Sequence, residues 1–201
     1  MKHRSTHTAA LLLAGILLLT LLSACDDEPP TQSQPPANVI VPLAVGNTWW
    51  GTYTYYDSLG NEVFSRGTKT AVLDPAVLRW QVWYGWEIDD GLHGPNELVR
   101  NFADGFYQYA TDSLGMPAPI HILKYPADSG DTFNRDGRTV TVISTHDTVT
   151  VPAGQFVCYV YESEGFTQYV QPNTGLVIVE ILGEIAINNA MAARTVYVLD
   201  S

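Results

Sequence analysis

Tight-turn sequences recur at short intervals after Pro42 and separate runs of β-branched and aromatic residues. The turn sequences are Ser58-Leu59-Gly60-Asn61, Ala103-Asp104-Gly105, Asp136-Gly137, Pro152-Ala153-Gly154 and Pro172-Asn173-Thr174-Gly175. The runs include residues 139–143, 156–161, 176–179 and 195–198. Many short strands joined by tight turns are typical of antiparallel sheets. The sequence therefore predicts an all-β domain, formed as an antiparallel curved sheet, a sandwich or a partly open barrel.

The segment from Trp80 to Ile88 shows the strand pattern and its alternative. Every second residue is apolar, and the opposite face carries Gln81 and Glu87 with one exception, Trp83. The aromatic and β-branched content favours a strand. The three tryptophans also fit a helical spacing, and Asp74-Pro75 is able to start a helix. Residues 185–194 are a second stretch with helical character. The prediction thus allows at most one short helix in the domain.

The charge balance excludes one class of partner. The chain has 21 acidic residues against 10 Lys and Arg, a formal net charge of -11. The acids are dispersed, which indicates a solvated surface rather than an acidic binding site. Binding to nucleic acid, or to anionic lipid through a basic patch, is disfavoured.

The first 24 residues have the order of a secretory signal peptide. A basic start is followed by the apolar run 9–22 and by two small residues, Ser23 and Ala24. A membrane-spanning helix needs about 20 apolar residues, so this run is too short to be one. Leu22-Ser23-Ala24-Cys25 looks like the lipobox of bacterial lipoproteins. That resemblance implies cleavage before Cys25, acylation of Cys25 with palmitate among the acyl groups, and attachment to a membrane through this lipid anchor.

The residues after Cys25 predict a tether. Residues 26–36 contain four prolines and no large apolar side chain, which is typical of a disordered, extended linker. The predicted organisation is a signal peptide over 1–24, the lipidated Cys25 with a Pro-rich tether over 25–37, and a single β-rich domain over 38–201.

Three acids, Asp26, Asp27 and Glu28, directly follow Cys25. An Asp at this place resembles the inner-membrane retention signal of enterobacterial lipoproteins. Clustered acids there resemble the surface-export signal of Bacteroidetes lipoproteins, and a third interpretation is a solvated start of the linker. Three acids exceed what a single-position retention signal needs. We therefore predict an extracytoplasmic, lipid-anchored protein in the outer membrane or at the cell surface rather than in the inner membrane.

Three further motifs carry a family resemblance. Residues 42–49 resemble the P-L-x-V-G-N-x-W opening of a group of bacterial extracytoplasmic lipoproteins, and residues 148–156 match a T-V-x-V-P-A-G-x-F segment of the same group. Residues 172–177 match its P-x-x-G-L-V segment. The resemblance implies an all-β envelope protein and no particular activity, cofactor or substrate. From the residues themselves, Gly46-Asn47 and Ala153-Gly154 predict turns that lead into core strands.

Few residues suggest catalysis or metal binding. Cys158 lies in an apolar, aromatic run and predicts a buried thiol rather than a nucleophile. A metal site would draw on His93, His121 and His146 with nearby acids, but no two of these histidines are closer than twenty-five residues and no metal motif joins them. We predict no cofactor and no metal.

The early aromatic residues are the suggestive feature. Six of them are candidates for a groove that binds an acyl chain, a sugar or a peptide: Trp49, Tyr53, Tyr55, Trp80, Trp83 and Trp86. The alternative is that they only fill a disulfide-free core. The leading hypothesis is a non-catalytic envelope module that binds an apolar ligand or an envelope protein. An extracytoplasmic hydrolase with a spatially assembled site and a structural envelope component are the alternatives.

Overall fold

The structure is a computed structural model that describes residues 39–89, 97–111, 115–187 and 190–201. These residues form strands and turns, and none of them is in a helix. The strands are β1 (Thr48–Tyr56), β2 (Glu62–Leu78), β3 (Gln81–Asp89), β4 (Glu97–Phe102), β5 (Gly105–Thr111), β6 (Pro117–Lys124), β7 (Thr132–Arg135), β8 (Arg138–Val151), β9 (Gly154–Ser163), β10 (Phe166–Gln171), β11 (Gly175–Ile187) and β12 (Ala190–Leu199). The all-β prediction is confirmed.

All of these strands belong to one antiparallel sheet that curls into a nearly closed barrel. The strand order is β6-β5-β4-β3-β2-β1-β12-β11-β10-β9-β8-β7. The two edge strands, β6 and β7, approach each other through side chains. The rings of His121 and Phe133 are 4.7 Å apart across this seam, and Lys124 Nζ lies 2.8 Å from Asp131 Oδ2. The partly open barrel is thus the realised form among the three predicted.

Each of the five predicted turns joins two consecutive strands. The β7–β8 turn shows why such a sequence forms a turn. Its residues Asp136 and Gly137 have φ angles of 50° and 83°. Two left-handed residues in a two-residue hairpin loop match the twist of the paired strands, and Asp-Gly is a favoured pair for them. Residues 81–86, 185–187 and 190–194 are strand and Trp80 is in the turn before β3, so neither stretch with helical character forms a helix where the structure describes it.

The segment before β1 closes one end of the barrel. Val39, Ile40, Val41 and Leu43 are all buried, with Ile40 only 1% exposed. Asn101 Nδ2 donates to the Val41 carbonyl at 2.7 Å, and the backbone N–H of Asn173 donates to the Val39 carbonyl at 2.7 Å. This segment, residues 39–43, is called the plug below.

The predicted signal peptide, Cys25, the acidic residues Asp26, Asp27 and Glu28, and the tether lie outside the described residues. Within the described ranges, no helix has the length and apolarity to cross a membrane.

Candidate functional site

The barrel contains a cavity of about 550 Å³ that is partly open to solvent. This volume falls within the range of about 300–1,000 Å³ that is typical of small-molecule sites. The lining is mainly apolar and aromatic and comes from strands all around the sheet. Its apolar members include Val41, Tyr53, Tyr55, Trp86, Ile88, Val99, Phe106, Ile122, Leu123, Phe166, Leu176, Val179, Ile181, Ile185 and Ile187.

Three of the six aromatic residues singled out from the sequence line this cavity. They are Tyr53, Tyr55 and Trp86. Strand alternation explains the set, because Tyr53 and Tyr55 are two residues apart on β1 and share one face. Trp49 is on the same face and lines a small adjoining pocket of about 80 Å³ together with Tyr53 and Trp86. Its ring lies 5.3 Å from that of Trp86, and its Nε1 donates to the Thr174 carbonyl at 2.7 Å.

The other two tryptophans lie elsewhere. Trp83 is an odd number of residues from Trp86 on β3, so its side chain is on the opposite face of the sheet. It is nevertheless only 1% exposed, because the rings of Phe102 and Tyr109 pack edge-on against it at 5.8 and 5.4 Å. Trp80 is 99% exposed in the turn between β2 and β3. Neither contributes to the cavity.

The two charged residues of the lining lie at one end of the cavity, called the polar end below, although the apolar Ile185, Ala186 and Ile187 line that end as well. Phe106, Leu123 and Leu176 lie next to the strand ends that neighbour the plug, and Val41 is part of the plug itself. At the opposite end of the barrel, β7 ends with Arg135, β10 begins with Phe166 and β4 begins with Glu97. The antiparallel order therefore separates a hydrocarbon-like end from an end with charged side chains.

Arg135 is the main charged group of the polar end. Strand alternation places it on the same face as Phe133, which packs against the core, while Thr132 and Asn134 are exposed. Its Nη1 donates to Gln168 Oε1 at 3.1 Å, and its guanidinium lies 5.1 Å from the centre of the Phe166 ring. Burial and the neighbouring Arg138 lower the pKa of Arg135. In the described part of the chain, no carboxylate forms an ion pair with Arg135.

Three neutral polar residues, Gln108, Gln168 and Thr195, line the cavity with Arg135, and the last two of them are buried. Gln168 is 8% exposed and lies on the same face of β10 as the fully buried Val170, two residues further along. Thr195 is 3% exposed and faces inward with Tyr197 and Leu199 on β12. Among the described residues, the Thr195 hydroxyl has no hydrogen-bond partner. Buried hydroxyl groups are usually paired, so an unpaired one beside a cavity indicates a site that an additional group can fill.

Sequence reasoning missed Arg135, Gln168 and Thr195. Arg135 directly precedes the predicted Asp136-Gly137 turn, and it lies two residues after the apolar Phe133. In the same way, Gln168 lies two residues before the apolar Val170, and Thr195 lies two residues before Tyr197. A polar residue at a core position of a strand is the signal that would have identified all three.

The groups considered for catalysis do not assemble around the cavity. Cys158 is fully buried in a second apolar cluster, where burial and then Asp147 raise the pKa of its thiol to about 11. His121 lies in the barrel seam, and His146 is exposed beside Thr145. Among the described residues, no three His, Cys, Asp or Glu side chains form a metal-binding group. His93 and Asp90 lie outside the described ranges.

No protein-family model matches the chain, and no curated protein matches it with significant similarity. Two crystal structures are similar to it. One is a candidate lipoprotein from Parabacteroides distasonis that is 16% identical, with a TM-score of 0.43. The match covers 81% of this chain and 97% of the other chain. The other is a candidate exported protein with a YmcC-like fold from Bacteroides fragilis, 17% identical with a TM-score of 0.44, which covers 81% and 98%. These scores are low, and the function proposed below depends on this chain's own residues.

Proposed function

We propose that this protein is a non-catalytic binding module of the bacterial cell envelope that holds an apolar ligand inside its barrel. The observation that carries the proposal is the cavity of about 550 Å³ with a mainly apolar and aromatic lining. A purely structural component needs no interior space, and a barrel filled with side chains would serve it equally well. An interior space lined by apolar side chains instead has the character of a ligand site. The thiol of Cys158 lacks the lowered pKa that a nucleophile needs, so the hydrolase alternative gains no support from it.

Binding can be tested on the full chain held in a nonionic amphipol, which contains no small detergent to compete for the cavity. The probe is bromododecanol, a neutral amphiphile whose bromine quenches nearby tryptophan fluorescence. Because Trp86 lines the cavity, we expect saturable quenching with the wild type and a smaller saturable amplitude with Trp86→Phe. Quenching that rises linearly without saturation would mean that the probe only partitions into the amphipol, and would contradict the proposal.

A matched pair of substitutions separates the cavity from the outer surface. Val179 is 5% exposed and lines the cavity, whereas Val157 is 48% exposed on β9. Val179→Phe adds a ring inside the cavity and is expected to abolish saturable quenching. Val157→Phe makes the same chemical change outside the barrel and is expected to leave quenching unchanged. Equal behaviour of the two variants would place the probe somewhere other than the cavity.

We also propose that the domain is anchored through acylated Cys25 after removal of residues 1–24. The lipobox-like Leu22-Ser23-Ala24-Cys25 at the end of a signal-like segment supports this. Two or three acyl chains anchor stably, since each buried methylene contributes about 0.8 kcal/mol. The intact mass of the purified protein is expected to correspond to a chain that begins at Cys25 with added lipid. Cys25→Ser is expected to lose the lipid mass and to release the domain from membranes.

The proposed location is the outer membrane or the cell surface, and it depends on Asp26, Asp27 and Glu28. Replacing the three with Ser, Gln and Ser removes the charges and keeps the side chains polar. We expect the variant to lose protease accessibility in intact cells and to shift its distribution between separated membranes. If wild type and variant distribute identically, the three acids are part of the linker only.

A further inference from the structure

The polar end of the cavity offers a cation without a matching anion. Arg135 donates a hydrogen bond of 3.1 Å to the neutral Gln168 Oε1, and its guanidinium lies over the Phe166 ring. A guanidinium group has five N–H donors in a planar fork, so most of its donors remain available to a ligand. A partly buried cation is costly unless it is paired, and no carboxylate of the described residues lies within ion-pair distance of it, although Glu97 lines the same end of the cavity.

The Thr195 hydroxyl is a second, independent indication of a ligand. It is buried on the cavity wall without a hydrogen-bond partner in the described part of the chain. Gln168 is buried on the same wall and already orients the guanidinium. Arg135, Gln168 and Thr195 come from three different strands, so their shared cavity is a product of the barrel and not of one local sequence. All three line the one cavity and offer it a guanidinium, an amide and a hydroxyl, which are groups that bind an oxygen-rich headgroup.

The rest of the cavity suits a hydrocarbon chain. The wall near the plug is formed by Val41, Phe106, Leu123 and Leu176, none of which carries a polar side-chain group. A sugar or an extended peptide would bury many hydroxyl or amide groups there without partners, which is costly. An acyl chain has no such groups and gains from burial along its whole length.

Resting on the binding function proposed above, we infer that the ligand is a single-chain amphiphile with an anionic headgroup. The headgroup binds Arg135 with support from Gln168 and Thr195, and the chain extends toward the plug. Carboxylates and phosphates both match the guanidinium fork. Glu97 is the other charged side chain of the lining, and it disfavours a ligand with several anionic groups. One anionic group at the end of one hydrocarbon chain is the chemistry that fits both ends of the cavity.

The test compares three probes that share a brominated twelve-carbon chain: bromododecanoate, bromododecyl phosphate and neutral bromododecanol. Affinity is measured by saturable tryptophan quenching with the full chain in nonionic amphipol. For the wild type we expect at least one anionic probe to bind about ten-fold or more tightly than the alcohol, which is the difference made by one charge-assisted contact. The carboxylate and phosphate arms distinguish a fatty acid from a phosphate monoester lipid.

Arg135→Gln is expected to remove the preference, with a loss of about ten-fold or more for the anionic probes and no loss for the alcohol. Arg135→Lys keeps the charge without the fork and is expected to retain part of the preference. Arg138→Gln is the matched control, because Arg138 is exposed at the other side of the same turn and pairs with Arg135 in the β7–β8 register. Because the charge of Arg138 is exposed to solvent, Arg138→Gln is expected to keep the anionic preference that Arg135→Gln removes.

Thr195→Val is nearly isosteric and tests the second indication. It is expected to weaken binding of the anionic probes by a few-fold, whereas binding of the alcohol to the apolar wall persists. If Arg135→Gln keeps the anionic preference, or if the wild type binds the alcohol as tightly as both anions, the inferred headgroup is wrong and the apolar site remains. If none of the three probes gives saturable quenching, the binding function itself is wrong.

Discussion

Burial determines the chemistry of the Cys158 thiol. The side chain is fully buried in the cluster with Val151, Val177 and Leu199. Burial and then the negative charge of Asp147 raise the pKa of the thiol to about 11. A thiol reacts as the thiolate, so at mildly alkaline pH very little of the reactive form is present and reagents cannot reach it.

We therefore expect Cys158 to remain unlabelled by a maleimide or an aromatic disulfide reagent in the folded protein and to react fully in denaturant. Cys158→Ser is expected to cost about 1–3 kcal/mol in the free energy of unfolding, because it buries a hydroxyl in an apolar cluster. Labelling kinetics in native buffer check the first expectation. Stoichiometric labelling without unfolding would show that this part of the barrel opens readily.

His121 makes the barrel seam sensitive to pH. Its ring stacks on Tyr107 at 4.3 Å and contacts Phe133, and its Nε2 donates to the Leu123 carbonyl at 3.0 Å. Burial lowers the pKa of His121, although the nearby Asp104 acts in the opposite direction. In the unfolded chain the pKa of histidine is about 6.5. As pH falls through that value, the unfolded state takes up a proton before the folded state does, so stability decreases.

We expect the free energy of unfolding to fall between about pH 8 and pH 5 and part of this dependence to disappear in His121→Phe, which keeps a ring in the seam. Urea unfolding across this pH range is the measurement. His146→Phe is the matched control, since His146 is exposed on β8. A pH dependence that is equally strong in wild type and His121→Phe would assign it to other groups.

The plug is the element that closes the apolar end of the cavity. Its described residues do not pair with any strand of the sheet. It is held by burial and by hydrogen bonds from the Asn101 side chain and the Asn173 backbone. Ile40 is 1% exposed and belongs to the main core cluster. The plug therefore contributes to stability even though it lies before the first strand.

Ile40→Ala is expected to lower the free energy of unfolding by about 2–5 kcal/mol, because it leaves a cavity in the core. Ile143→Ala makes the same change at a residue that is 47% exposed on β8 and is expected to cost much less. Chemical denaturation of both variants gives the comparison. Similar losses for the two would mean that the plug does not pack as a core element.

At the scale of the whole molecule, the plug and the predicted tether are expected to behave differently. Residues 26–36 have no apolar face to bury. A chain that starts at Asn38, and so keeps the plug, is expected to melt like the mature protein. A loss of more than about 1–2 kcal/mol would mean that the tether packs on the barrel.

Local sequence was sufficient for the turns and for most of the strands. Asp136-Gly137 predicts its hairpin because only a few residue types adopt two left-handed conformations in succession. Alternation likewise placed Trp86 and Ile88 together on one face of a strand, and both line the cavity. These features depend on residues close to one another in the chain, which is why sequence alone determined them.

Only the tertiary structure decided which faces are enclosed and which polar groups remain unpaired. Trp83 lies on the face opposite Trp86, yet it is buried because Phe102 and Tyr109 come from neighbouring strands to cover it. The juxtaposition of Arg135 with Gln168 spans 33 residues of chain, and Thr195 joins them from a third strand. Closure of the sheet between β6 and β7 creates the interior that these residues share, and the sequence pattern of a single strand contains no information about that closure.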